Sequence, residues 1–181
     1  MRKLFLPLFA SAAFVACSSN ETTAVKGATD STTTAASAEM PKLPYTVAHT
    51  PDWQPGDPAH VALAMNTLKA YVDNDTTSLQ RYLADSVALY ADNYSFKGPK
   101  DSLIRFLTDS RNQTGNIDIR MQDYESVKSK ARGEEWVGMW YMETDDRKNG
   151  AKDSVMVMDD IRIVNGKVAV IDSKSRRLAK K

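Results

Sequence analysis

The groups in this chain that could do chemistry are mostly carboxylates. Asp159-Asp160 interrupts the apolar run Val155 to Val164. On consecutive strand positions one carboxylate faces in and the other out. A carboxyl set among apolar side chains is held above the ordinary acid range and can donate or take up a proton near neutrality. The same two residues would equally serve in cross-strand pairs with Arg162 or Lys167. Asp73-Asn-Asp-Thr-Thr-Ser78 spaces its oxygens like the start of a calcium loop. It has Ser78 where such a loop needs glycine and Ala84 where it needs an acid, so it reads as helix capping. His49 and His60 are the two histidines; without carboxylate partners they make a poor ligand set, and no metal is expected. The single cysteine excludes a disulfide within the chain and nearly excludes a Cys/His zinc site. There is no glycine-rich phosphate loop and no Ser/His/Asp order, and no cofactor is expected. Trp136, Trp140 and Tyr141, with Met156 and Met158 nearby, suit an apolar guest and suit plain core equally.

These residues fall in a long antiparallel meander, Glu134 to Ser173, of three β-prone runs. In the first, Trp136, Gly138, Trp140 and Met142 share one face, and Val137, Met139 and Tyr141 the other. In the second, Val155, Val157, Asp159, Ile161 and Ile163 oppose Met156, Met158, Asp160, Arg162 and Val164. Asn165-Gly166 then signals a type I′ hairpin, because both central residues need positive φ. Large apolar residues occupy both faces, so both are expected to meet something: the chain's own helices on one side, and a second subunit, a ligand or the preceding segment on the other. Upstream, Asp57-Pro58 starts a helix carrying Val61, Met65, Leu68 and Val72. Asp75 or Thr76 caps a short second helix, and Val87 to Ala91 reads as a short strand. Gly98-Pro99 opens a third helix that buries Leu103, Ile104, Phe106 and Leu107. Ile117, Ile119 and Met121 alternate as the next strand. Helices followed by a run of strands imply an α+β class.

The chain has 181 residues and a formal net charge of +1, giving no reason to expect a nucleic-acid partner. Residues 1–16 read as a signal peptide, with Arg2 and Lys3 ahead of an apolar stretch too short for a stop-transfer helix. Phe14-Val15-Ala16-Cys17 resembles the lipobox of bacterial lipoproteins, with Phe14 departing from the usual leucine. The resemblance implies acylation of Cys17 and anchoring in the cell envelope, at the outer membrane. Several acyl chains at about 0.8 kcal/mol per CH₂ hold a domain stably. The alternative is cleavage near Ala10 to Ala13, which leaves a free thiol. Residues 17–56 read as a tether, first Ser/Thr/Ala-rich and then proline-rich. Trp53 is read as a plug that packs on the domain.

The order of elements over residues 57–178 resembles that of the NTF2-like (SnoaL-like) superfamily, especially NTF2-like lipoproteins of Bacteroidetes. The residues that carry the likeness are Ala70-Tyr-Val-Asp-Asn-Asp75, Leu79, Tyr82-Leu-Ala-Asp-Ser-Val87, Phe96-Lys-Gly98 and the final hairpin Val164-Asn-Gly-Lys-Val168. The resemblance implies three N-terminal helices on a curved, mostly antiparallel sheet that wraps a conical pocket, often dimeric through the outer face of the sheet. In ketosteroid isomerase, a member of that superfamily, the site is an Asp base with a Tyr and a protonated acid. Aligned residue by residue, Thr67 stands at its helical Tyr and Ala91 at its base; Asp92 is one place off, which turns a side chain to the other face. Neither histidine falls in a strand, against the Asp–His chemistry of other branches. The candidate pocket residues are Tyr90, Asp92, Trp136, Trp140, Tyr141, Met156, Met158 and Asp160. The expectation is a membrane-tethered protein that binds a small apolar or amphipathic ligand in the cone without chemistry of its own. The alternatives are a dimerising interaction module, and an isomerase-like enzyme using Asp92 or Asp160.

Overall fold

A computed structural model describes residues 42–49, 52–147 and 152–177. The signal segment 1–16, Cys17 and the Ser/Thr/Ala-rich part of the tether lie outside these residues. The chain divides into two compact units at Thr46/Val47, and the fold is that of the second.

Three helices and seven strands follow in the order β1 (Trp53–Pro55), α1 (Pro58–Val72), α2 (Thr76–Tyr82), β2 (Leu83–Ala91), β3 (Tyr94–Pro99), α3 (Lys100–Gln113), β4 (Thr114–Ser129), β5 (Glu135–Arg147), β6 (Lys152–Val164) and β7 (Lys167–Arg177). They form one sheet in the spatial order β1-β4-β5-β6-β7-β2-β3. Every neighbouring pair is antiparallel except β2 with β7. The class is α+β, and the arrangement is that of an NTF2-like fold.

Local chemistry explains the helix starts. Asp57 accepts from Ala59 N at 2.8 Å with Pro58 at the first helical position, and Asp75 accepts from Ser78 N at 3.0 Å. Asn165 (φ +51) and Gly166 (φ +69) make the left-handed pair that the β6–β7 hairpin requires.

The helices cover one face of the sheet. Leu79, Leu83, Val87, Leu103, Val137, Met139 and Val168 pack there with almost no exposure. Phe106 does not join them: it is 38% exposed and stacks on Tyr94, ring centroids 4.6 Å apart. Two strands escape the sequence reading. β3 is a short return after the turn at Asp92-Asn93. β1 lies within the segment read as tether and pairs with the end of β4, Trp53 opposite Ser129. Asp52 fixes this strap: its carboxylate accepts from Ser129 Oγ at 2.9 and 3.0 Å and from the Ala131 amide. Those bonds hold its carboxyl below the ordinary acid range, the Ala131 amide contributing most. Arg132 lies 5.0 Å from the Trp53 ring.

Candidate functional site

Between the helices and the inner face of the sheet lies a cavity of about 290 Å³, near the lower end of the range for small-molecule sites. Ala64, Thr67, Leu68 and Tyr71 of α1, Leu79 of α2 and Leu107 of α3 line it on the helical side. Met139, Tyr141 and Glu143 of β5, and Val155, Val157, Asp159 and Ile161 of β6, form the sheet wall. Ile171, Ser173 and Ser175 of β7 and Leu89 and Ala91 of β2 complete it. The positions follow from strand alternation. β5 opposes β6 with Tyr141 at Val157 and Met139 at Asp159, so the inward rows of the two strands interleave.

The polar groups in this apolar chamber are concentrated at Asp159. It is 5% exposed, and its Oδ2 accepts from Tyr141 Oη at 2.8 Å. Its other oxygen, Oδ1, is buried with no partner. Burial raises Asp159 above the ordinary carboxylate value, against the Tyr141 hydrogen bond and the nearby Ser173 hydroxyl, which favour the charged form. Burial likewise raises Glu143, helped by the charges of Asp145 and Asp159. Tyr141 is pushed far above an ordinary phenol by burial and by the Asp159 charge. Tyr71 is also raised, chiefly by burial. Both phenols therefore stay protonated, and Tyr141 donates to Asp159. A raised carboxyl next to them can offer its proton to a ligand oxygen through Oδ1, or accept one there.

Of the eight candidate pocket residues named from the sequence, only Tyr141 lines this cavity. Trp136, Trp140, Met156, Met158 and Asp160 lie on the opposite, outer face of the sheet, half-buried. The helices cover the other face: the row of Val137, Met139 and Tyr141 with Val157, Ile161 and Ile163 is almost fully buried beneath them. Trp140 lies across Gly138, whose missing side chain leaves room for the indole. Asp160 is paired with Lys174 at 2.9 Å, a partner outside the Arg162 or Lys167 expected. Trp136 shares a groove with Trp53, so the strap covers one end of the outer face. Tyr90 is 44% exposed on that outer side. Asp92 occupies the β2–β3 turn at φ +42 and accepts from Ser175 N and Oγ at 3.2 and 2.6 Å. No bulge brings Asp92 inward. Thr67 and Ala91, the positions aligned with the isomerase residues, do line the cavity but carry no acid and no phenol. His60 lies 3.2 Å from Glu135, a carboxylate partner that sequence spacing did not offer.

Sequence reasoning raised Asp159 together with Asp160 and then took Asp160 into the pocket; it missed Glu143 and Tyr71. The signal existed for Asp159, the one acid in the row Val155, Val157, Ile161, Ile163. Extending the row Val137, Met139, Tyr141 by one step reaches Glu143.

No family model matches the sequence, and no curated protein does. Solved structures do. An LEH-like epoxide hydrolase of M. tuberculosis superposes with TM-score 0.56 at 10% identity, over 68% of this chain and 82% of the other. AusH from Aspergillus nidulans does so with TM-score 0.54 at 13% identity, over 70% and 90%. A protein with a ketosteroid isomerase-like fold from Catenulispora acidiphila, in complex with trimethylamine, gives 0.50 at 8%, over 63% and 83%. The chain thus has the NTF2-like, ketosteroid isomerase-like fold.

Proposed function

We propose that the cone binds a small, mainly apolar molecule bearing one oxygen head group, and that Asp159 meets that head. The observation that carries this reading is the buried carboxyl with one oxygen held by Tyr141 and the other unpartnered at the cavity wall. An unsatisfied buried polar atom costs about 1–3 kcal/mol, and a ligand oxygen would recover it. The apolar remainder of the wall supplies the affinity and the single polar point supplies orientation. Native mass spectrometry of the protein from its own source tests this. A retained molecule that denaturation releases supports the reading; an empty chamber that also fails to take up β-naphthol, an apolar body with one hydroxyl, refutes it.

A second reading is acid–base catalysis on such a molecule, Asp159 and Glu143 exchanging protons with it. The observation in its favour is the pair of raised carboxyls in one apolar chamber with two protonated tyrosines.

The protein as a whole is proposed to be a lipoprotein of the bacterial cell envelope, held by acylated Cys17 with the domain standing off on the tether. Cys17→Ser then moves the mature chain from the membrane pellet to the soluble fraction; a chain that stays in the pellet contradicts the anchor. Dimerisation through the half-buried outer row of Trp140, Met156 and Met158 remains the alternative role for that face.

A further inference from the structure

β4 has a partner along only part of one side. β5 pairs with it from Thr114 to Lys128, whereas β1 pairs only with Val127 to Ser129. From Thr114 to Glu125 no other described strand lies against it. Along that stretch every second residue directs its N–H and C=O outward, a ready template for another strand. Register shifts at Thr114/Ile117 and at Met121/Asp123 bound one regular run, Ile117 to Met121. The free edge is therefore short and defined at both ends.

That run reads as its own complement. Set antiparallel to a second copy with Ile119 opposite Ile119, Asp118 faces Arg120 and Ile117 faces Met121, in both halves of the pair. Asp118 and Arg120 are exposed and form no ion pair among the described residues. Sliding the register by two residues either way sets Asp118 against Asp118 or Arg120 against Arg120. Like charges directly opposite disfavour those registers. On the inner side, Ile119 and Met121 border an apolar groove of about 210 Å³ with Met65, Leu68 and Val72 of α1. The symmetric pairing brings the partner's Ile117 and Met121 beside it.

We propose that the β4 edge is an interface between two copies of this chain, joining their sheets through Ile117 to Met121 about a twofold axis at Ile119. The occupant is a second copy because the charge pattern complements itself in one register only. The interface is separate from the outer face of the sheet and does not depend on what the cone binds.

Sedimentation equilibrium on the full-length chain tests it, with Cys17→Ser present so that acyl chains cannot associate. The wild-type edge gives a dimer. Asp118→Arg and Arg120→Asp each turn two attractive cross-strand pairs into two repulsive ones and weaken the dimer by roughly tenfold or more. The double variant restores it, and mixing the two single variants yields a heterodimer by native mass spectrometry. Both positions are exposed, and an unchanged circular dichroism spectrum verifies the fold. A chain that stays monomeric, or a dimer indifferent to both single substitutions, overturns the proposal. A dimer broken by Met156→Asp alone would overturn it too and place the contact on the outer face.

Discussion

Replacing Asp159 by asparagine removes a charge and almost nothing else. The volume is kept, and the amide oxygen can still accept from Tyr141 Oη, now 2.8 Å from the carboxylate. Folding raises the proton affinity of Asp159, so its contribution to stability is whole below the ordinary value of 3.8 and is lost as pH rises through the raised value. Each tenfold gain in proton affinity on folding takes about 1.4 kcal/mol from stability above that pH. At 5% exposure, solvent screening does little to reduce the effect. Glu143 responds in the same direction, since it loses one of the charges that raise it. Asp159→Asn is therefore close to wild type in acid and more stable than wild type at neutral pH. The gap between the two should open by about 1.4 kcal/mol for each tenfold gain in proton affinity. Urea denaturation of both proteins near pH 3.8 and at neutral pH measures that gap. A gap that stays flat with pH, or an asparagine variant that falls below wild type as pH rises, would refute the buried-acid reasoning.

Tyr141→Phe deletes the hydrogen bond to Asp159 Oδ2 and should cost about 1–3 kcal/mol by the same denaturation assay, most at neutral pH where the acceptor is charged. It should also raise Asp159 further. Leu103→Ala, at a side chain with 0% exposure under α3, should cost about 2–5 kcal/mol in thermal or urea unfolding. Asp52→Ala should detach the strap. Hydrogen exchange over residues 126–131 then speeds up while the core amides of β5 and β6 are unchanged. Acidification through the lowered value of Asp52 should do the same to the wild type, because a depressed carboxyl contributes its stability only above that value.

Periodicity and caps carried most of the fold. Asp57-Pro58, Asp75 and Asn165-Gly166 each act through chemistry local to a few residues, and each sits where its signal put it. Alternation along β5 and β6 separated two faces with the right members. What alternation does not contain is which face the helices cover. Trp136, Trp140, Met156 and Met158 form the larger apolar row and drew the pocket reading, yet α1 and α3 pack on the smaller row, where Val137 and Val157 admit close approach. The site followed the covered face, so Asp159 replaced Asp160. β1 escaped because a strand of three residues, the last of them Pro55, has no period to read. Its place depends on Asp52 reaching Ser129, a contact 77 residues away in sequence.

The central claim is that Asp159 is a buried acid open to a ligand inside the cone. The most direct measurement is the ¹³C resonance of its side-chain carboxyl, assigned by its absence in Asp159→Asn and followed from acid to alkaline pH with and without β-naphthol. The account predicts an inflection above the ordinary carboxylate value that shifts when the probe binds. An Asp159 that titrates as an ordinary aspartate and ignores the probe would contradict it.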